Sequence, residues 1–295
     1  MKAMVLAQHH LLPGEGSWFL TSLSVAARFG CAGLLLLVVT GRRLGMLTAR
    51  EWEQGLVLAG FGGLGILFQM DGLSYTAAST SAFLTQAYCI FIPLWVGLTT
   101  RRLPPLKQCV CIALVVGGIW ILAGLEFRSL RLGRGELETL VASLLFTGQI
   151  LALERPRFAG NRPVMITTIM FPATALVALP VVWATAPSAA ACLRVFAAPA
   201  PAILLVVLVF GCTLVSYLAM NIWQPSVTST EAGLIYCLEP VLASVMALFL
   251  PHWLSRWTGV DYANEGLTYR LLAGGGLITA ANILLQSPWR ETAAR

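Results

Sequence analysis

Glu239 is the clearest ionisable residue inside an apolar stretch of this chain, about halfway along residues 230–250. A carboxylate at the centre of a membrane helix costs about 2.5–3.5 kcal/mol unless it is paired or hydrated. The adjacent Pro240 lacks a backbone N–H, which leaves a carbonyl one turn earlier free to accept a hydrogen bond. Glu239 could therefore bind a cationic or polar solute, or carry a proton. A hydrogen-bonded carboxylate that only packs helices together remains the alternative.

Polar residues in a second apolar stretch match the position of Glu239. Gln86 and Tyr88 lie in this second stretch, and an offset of 150 residues maps Gln86 onto Tyr236. The same offset maps Cys89 onto Glu239. In each stretch the two positions are three residues apart, so they share one face of a helix. Matching polar groups at one depth are what a central binding site requires, although each group alone is more often an interhelical hydrogen-bonding group.

Other residues inside apolar stretches have two interpretations each. Asn221 is either a binding residue or an interhelical hydrogen-bonding group. Trp120 and Tyr217 could line a cavity wall, but Trp120 lies toward a predicted helix end, where interfacial anchoring is the usual role. Arg28 is the other charge in the middle of a span, and a packing role in its helix competes with substrate contact. Glu231 lies in the first turn of its helix, where a negative charge interacts favourably with the helix dipole.

Several kinds of chemistry find no support in the sequence. His9, His10 and His252 have no Cys or carboxylate at zinc-site spacing, so no metal site and no cofactor are expected. The predicted spans lack the His or paired Asp residues of intramembrane proteases, and an enzyme is not expected. The glycine strings 60–65 and 274–276 lie inside apolar runs without the Lys-Ser/Thr of a phosphate loop, which favours close helix packing.

The composition indicates that lipid, rather than water, surrounds most of these segments. The 295 residues are 58% hydrophobic and only 11% charged, too few charges to cover a soluble protein of this size. The net charge of +6 comes from small Arg groups at the ends of apolar runs, which orient membrane helices, so no nucleic-acid partner is expected. Runs of this length predict an all-α polytopic membrane protein. The nine predicted helices are 17–39, 55–74, 78–99, 106–124, 136–153, 164–184, 200–223, 230–250 and 269–286.

The distribution of Lys and Arg predicts the orientation. With Arg28 set apart, one side of the nine crossings receives eleven Lys and Arg residues and the other receives seven. The side with more positive charge is cytoplasmic by the positive-inside rule, which places the C-terminus in the cytoplasm. Residues 1–12 are apolar but too short to cross a bilayer and are stopped by Pro13-Gly14.

The chain contains an internal repeat. Ser-Thr-Ser-Ala-Phe-Leu at 79–84 matches Ser-Thr-Glu-Ala-Gly-Leu at 229–234 in four of six positions, at an offset of 150. Because an odd number of crossings separates the copies, they run through the membrane in opposite directions, as in inverted-repeat transporters. The predicted units are 1–125, an incomplete first repeat, and 135–286, a second repeat, followed by a cytoplasmic tail at 287–295. Five helices in each repeat would make residues 1–12 the remnant of a first helix.

Three segments carry a resemblance to a known family. Residues 24–37, with Arg28-Phe29 followed by aliphatic residues, resemble the second helix of EamA-type transporters in the drug/metabolite transporter superfamily. Residues 73–79 resemble the junction between that family's third and fourth helices, and Leu238-Glu239-Pro240-Val241 resembles its Glu-Pro motif. The chain differs from the family pattern at Thr100-Arg101-Arg102 and Pro251-His252-Trp253, where a Gly-Glu pair is usual. It also has a longer connection from Trp253 to Glu265.

The resemblance implies two inverted repeats of five helices that carry a small metabolite or drug-like solute through a central cavity. The expected protein is a secondary transporter of the bacterial inner membrane that works by alternating access. Its partners are then a small-molecule substrate and the lipid bilayer, and a homodimer stays open. A membrane scaffold that transports nothing is the alternative function. Substrate identity, direction and coupling ion do not follow from the sequence.

Overall fold

A computed structural model describes residues 1–76, 78–101, 104–123, 133–259, 261, 263–264 and 266–286. All regular secondary structure in these residues is helical. The α-helices are α1 (Lys2–Leu11), α2 (Ser17–Thr40), α3 (Ala49–Tyr75), α4 (Ala78–Thr85), α5 (Tyr88–Thr100), α6 (Leu106–Ala123), α7 (Arg134–Leu153), α8 (Pro163–Thr185), α9 (Ala189–Ala197), α10 (Pro199–Val209), α11 (Ser216–Trp223), α12 (Ser229–Tyr236), α13 (Glu239–Ala247), α14 (Leu250–Thr258) and α15 (Tyr269–Gln286).

Six helical stretches in the described residues are long and apolar enough to cross a membrane. They are Ser17–Met46, Ala49–Tyr75, Arg134–Leu153, Pro163–Thr185, Pro199–Ser226 and Ser229–Ala247. Shorter apolar helices cover Tyr88–Thr100, Leu106–Ile121 and Leu272–Leu285. Large apolar side chains such as Val38, Leu98 and Trp183 point outward and are exposed. A bundle whose outer surface is apolar fits a membrane protein, because lipid replaces water around it.

Glycines allow the main helix pairs to approach closely. A Cβ atom at Gly33 on α2 would come within 2.9 Å of the Pro172 ring on α8. On α6, a Cβ atom at Gly118 would come within 2.7 Å of the backbone oxygen of Gly274 on α15. In the glycine string of α3, a Cβ atom at Gly62 would meet the Gln149 side chain of α7 at 2.7 Å. The prediction that the two glycine strings serve helix packing is confirmed at these contacts.

Three of the predicted helices are interrupted. The segment predicted at 78–99 breaks between α4 and α5, and the segment predicted at 230–250 breaks between α12 and α13. In the second case Pro240 cannot donate to the carbonyl of Tyr236 four residues earlier, and α12 ends at Tyr236. The segment predicted at 200–223 consists of α10 and α11, joined by a π-helical turn at Phe210–Val215.

The segment at residues 2–11 is helical and packs inside the bundle. Ala3, Met4 and Ala7 of α1 are buried in one cluster with Leu204 and Leu208 of α10. Gln8 adds a polar contact, since its side-chain amide donates to the hydroxyl of Ser24 on α2 at 2.7 Å.

Ion pairs join α3 to the second half of the chain at both of its ends. Glu51, in the first turn, binds Arg162 at 2.7 Å, and Glu53 binds Arg157 at 2.6 Å. At the other end of α3, Asp71 binds Arg134 of α7 at 2.6 Å. The same helix is therefore held at opposite faces of the bundle by separate charged contacts.

Short amphipathic helices lie in the two connections that precede and follow the α10–α13 stretch. The first is α9, and the second is α14, on which the Trp253 and Trp257 rings contact each other at 5.6 Å between centroids. The side-chain oxygen of Asn264 accepts a hydrogen bond from the backbone N–H of His252. Tyr262 and Glu265, which the sequence placed in this long connection, lie outside the described residues, as do the 287–295 tail and Arg102.

Candidate functional site

The two interrupted helices place the repeat-related polar residues at their breaks. Gln86 lies between α4 and α5, and Tyr88 begins α5. Tyr236 ends α12, and Glu239 begins α13. Backbone hydrogen bonds at the first break shorten to the i to i+3 type, from the Cys89 N–H to the Gln86 carbonyl. The offset of 150 found in the sequence therefore relates two helix breaks as well as two sets of side chains.

Tyr88 contacts Gln86 beside it and Tyr236 of the other interrupted helix. The Tyr88 hydroxyl donates to the side-chain oxygen of Gln86 at 2.6 Å. The rings of Tyr88 and Tyr236 pack edge to face with their centroids 6.5 Å apart. Gln86 and Tyr88 are buried, whereas Tyr236 is half-buried. The thiols of Cys89 and Cys237 also lie within hydrogen-bonding reach of each other. These contacts join the α4–α5 segment to the α12–α13 segment.

Glu239 is exposed, although it lies at the middle of its helical stretch. Its carboxylate interacts with the Gln86 side chain and is close enough to Tyr88 and Tyr217 to act on both electrostatically. These three neighbours come from the α4–α5 break, α5 and α11. The Glu239 side chain is therefore accessible from outside the packed core, beside these three neighbours. There it could accept hydrogen bonds from a polar or cationic group.

Tyr217 sits between Glu239 and a buried arginine. Its ring packs edge to face on Phe29 and Phe171, at 5.5 Å and 5.9 Å between centroids. Tyr217 also lies close enough to Arg28 for electrostatic interaction. The aromatic contacts make Tyr217 part of the packed core, while its hydroxyl end lies in the field of both charges.

Arg28 is held by the π-helical turn. Its Nε donates to the Thr213 hydroxyl and one Nη donates to the Cys212 carbonyl, both at 2.5 Å. A π turn shifts the backbone hydrogen-bond pattern and leaves carbonyl groups in need of other donors. The packing role considered for Arg28 is therefore present in the structure. The remaining Nη1 is buried and has no hydrogen-bond partner in the described residues.

The other candidate residues lie nearer the helix ends. The Asn221 amide donates to the Thr167 hydroxyl on α8 at 2.8 Å, and its side-chain oxygen is buried without a described partner. Trp120 is half-buried near the C-terminal end of α6, which packs against α15. Glu231 forms a capping box with Thr228 at the start of α12. This confirms the prediction that Glu231 serves the first turn of its helix.

Some residues of the site are absent from the sequence-based set. Gln224 accepts a hydrogen bond from the Tyr236 hydroxyl at 2.8 Å and donates to the Ile150 carbonyl at 3.0 Å. Thr213 binds Arg28, as described above. A polar residue one turn after Asn221 is a signal for Gln224, but nothing in the sequence marks Thr213, because its role depends on the π turn.

Two clefts lie away from these residues. One of about 490 Å³ is bordered by α5, the start of α6 and Thr230, and an adjoining one of about 460 Å³ is mostly apolar. They share Pro93, Gly97 and Pro104. Among the described residues, no group of three or more His, Cys, Asp or Glu side chains could hold a metal ion.

Comparison with known proteins shows only a similarity of fold. No protein-family model matches the chain, and no curated protein matches it. A solved structure described as "Crystal structure of protein" is similar, with a TM-score of 0.65 and 15% sequence identity. The match covers 97% of this chain and 94% of that one. The arrangement of helices is therefore shared with a protein of known structure over nearly the whole length of both.

Proposed function

We propose that this chain is a secondary transporter that moves a small polar or amphipathic metabolite or drug-like solute by alternating access. The observation that carries the proposal is the position of Glu239. It is an exposed carboxylate in the middle of an apolar helical stretch, with Gln86, Tyr88 and Tyr217 of other helices nearby. Transporters bind solutes at the middle of the membrane, beside interrupted helices.

The helix packing supports two inverted repeats of five segments, with nine crossings in the present chain. In this arrangement α1 to α6 form the first repeat and α7 to α15 form the second. The close pairs α2–α8 and α6–α15 each join equivalent helices of the two repeats. The α3–α7 pair has its counterpart in the pairing of α10 with α1. A two-fold axis in the membrane plane would produce this pattern, which is also the architecture of the EamA-type transporters that the sequence resembles.

Charged contacts at the two ends of α3 support a rocking motion. Glu51 and Arg162 join the proposed halves at one end, and Asp71 and Arg134 join them at the other. Alternating access requires one end to open while the other stays closed. Separate ion pairs at the two ends meet this requirement, because each can break without the other.

The proposed location is the bacterial inner membrane with the C-terminus in the cytoplasm. Arg42, Arg43, Arg157 and Arg162 then lie on the cytoplasmic side, together with the ion pairs of Glu51 and Glu53. The chain needs no cofactor in this proposal, and the drive comes from an ion gradient, from exchange or from the solute's own gradient. Glu239 either binds the solute or carries the coupling proton.

The proposal is tested by transport into vesicles. Purified protein is reconstituted and exposed to a defined panel of amino acids, nucleosides and quaternary ammonium compounds, and the contents of the vesicles are measured by mass spectrometry. We expect at least one panel member to accumulate with the wild type. Glu239→Gln should reduce that accumulation at least about tenfold, if the lost charged hydrogen bond contributes about 1.5–3 kcal/mol. Glu231→Gln is the matched control and should transport normally, because glutamine still serves the capping box.

A second measurement distinguishes a transporter from a membrane scaffold. With the native cysteines replaced, Tyr236→Cys is treated with a membrane-impermeant thiol reagent from each side of the membrane in turn. A carrier should expose this position to both sides in separate conformations. Absence of labelling from either side, together with no accumulation from the panel, would favour a scaffold.

A further inference from the structure

Two carboxylates meet at the end of α3 and the start of α7, on helices other than the one that carries Glu239. Asp71 and Glu138 each use one oxygen to bind the same guanidinium, that of Arg134, at 2.6 Å and 2.8 Å. The other oxygens, Oδ1 of Asp71 and Oε2 of Glu138, are buried and accept no N–H or O–H in the described residues. The two carboxyl groups lie within hydrogen-bonding reach of each other.

The backbone holds these two acids together. Gly72 follows Asp71, and Gly135 follows Arg134, and at these glycines the two helices touch. A Cβ atom at Gly72 would lie 2.8 Å from the Gly135 carbonyl oxygen, and one at Gly135 would lie 2.7 Å from that of Gly72. The backbones that carry the two acids are therefore held close together at this point. The Asp71 side chain is 0% exposed and that of Glu138 is 12% exposed, so water screens little of their repulsion.

The remaining charged and titratable groups near this pair are already engaged. The third nitrogen of Arg134 donates to the Tyr75 hydroxyl at 2.8 Å, and the guanidinium stacks on the Tyr75 ring at 4.2 Å. Glu136 accepts from Thr76, and Lys2 of α1 donates to the Leu73 carbonyl. The facing residues of α2 and α4 are uncharged hydroxyls, Ser17 and Ser81. Charged residues of the other neighbouring helices lie at the opposite end: Arg101 of α5, Arg162 before α8 and Glu231 of α12.

One guanidinium thus binds two acids, and each acid has a buried acceptor oxygen with no donor in the described residues. We propose that Asp71 and Glu138 bind one proton between them, forming a proton-binding site that closes this end of the α3–α7 pair. With that proton, one acid becomes an O–H donor to the other and both orphaned oxygens are satisfied. The cluster of two acids and Arg134 is then neutral. Without the proton, two like charges are held together in a buried place, which favours separation of the helix ends.

The site does not depend on transport, since a proton can occupy it in a protein of any function. Two acids that share a proton titrate as a pair rather than as individual residues. The folded protein holds a proton that the unfolded chain has already released near neutral pH. Its stability therefore decreases as the pH rises, until the shared proton has left.

The experiment measures unfolding of the purified protein by SDS titration, between about pH 6 and about pH 9. In the wild type, the unfolding equilibrium constant should rise with pH, by up to about tenfold per pH unit for one proton. Glu138→Gln should remove this increase, because its amide N–H replaces the O–H as donor to Asp71 at every pH. Glu136→Gln is the matched control, two residues earlier on the same helix, and should keep the wild-type pH dependence.

Infrared spectroscopy of the wild type gives an answer that requires no variant to fold. The folded protein should show the C=O band of a protonated carboxyl group near neutral pH, and the band should disappear at alkaline pH. A wild type without this band, or a Glu138→Gln variant that keeps the pH dependence, would overturn the proposal. The SDS titration is run in a choline salt and repeated in a sodium salt. If sodium removed the pH dependence, the pair would bind a metal cation instead of a proton, and the proposal would also be overturned.

Discussion

Arg28 shows how one residue can be tied to an irregularity in a distant helix. The π turn at Phe210–Val215 and the guanidinium of Arg28 satisfy each other, because the turn offers the Cys212 carbonyl and the Thr213 hydroxyl as acceptors. A buried charge is costly unless it is hydrogen-bonded, and a backbone carbonyl without a donor is costly as well. The π turn and the buried guanidinium of Arg28 are therefore more stable together than either would be without the other. It fixes α2 against the α10–α11 stretch at the middle of both.

Arg28→Lys tests this account without changing the buried charge. Lysine is a point donor and cannot reach both acceptors in the fixed geometry of the guanidinium, so one hydrogen bond is lost. We expect the free energy of unfolding to fall by about 1.5–3 kcal/mol, the contribution of a hydrogen bond to a charged group. SDS titration measures the change. Arg43→Lys, at an exposed position, should have no measurable effect, and an equal effect of both variants would contradict the account.

Glycine positions determine which helices can pair in this bundle. Gly117 and Gly118 are neighbours on α6, but only Gly118 faces α15. A Cβ atom there would come within 2.7 Å of a backbone oxygen, whereas a Cβ atom at Gly117 would meet nothing within 4 Å. Backbone cannot move aside as a flexible side chain can. The two residues therefore form a matched pair for testing the α6–α15 contact.

We predict opposite effects for Gly118→Ala and Gly117→Ala. The first should destabilise the protein by about 1–3 kcal/mol, because an added methyl group forces the two backbones apart. The second should be neutral or should stabilise it by up to about 1 kcal/mol, because alanine favours helix more than glycine does. Unfolding measured on both variants under one condition checks the prediction. If Gly118→Ala were as stable as Gly117→Ala, the close packing of α6 on α15 would be wrong.

The sequence predicts the long helices well and their interruptions poorly. The predicted segments 17–39 and 136–153 agree within a few residues with α2 and α7, because the length of an apolar run is a local property. The π turn depends on a tertiary partner, Arg28, which a single sequence does not display. The pairing of Asp71 with Glu138 was missed for the same reason. These residues are 67 positions apart in sequence, and only the packing of α3 on α7 brings them together.

The direction of the two repeats decides how the whole molecule can work. If α4 and α12 begin at opposite faces of the membrane, the breaks that follow these two helices meet near the middle of the membrane. A solute could then reach the same site from either side. The structure is consistent with this arrangement through its end contacts. The start of α12 is bound to Glu154 near the end of α7, through the backbone N–H of Ser229 at 2.8 Å. The start of α7, by contrast, contacts the end of α3, which directly precedes α4.

Cysteine labelling provides the test at this scale. With the native cysteines replaced, Ser74→Cys marks the segment before α4 and Ser226→Cys marks the segment before α12. Both substitutions exchange an oxygen for a sulfur at partly or fully exposed positions, so the fold should tolerate them. A membrane-impermeant maleimide added to intact cells should label position 74 and spare position 226, and inverted vesicles should give the reverse result. Labelling of both positions from one side would place the repeats in parallel. The breaks at Gln86 and Cys237 could not then be related by an axis in the membrane plane, and Glu239 would lose its place in a symmetric central site.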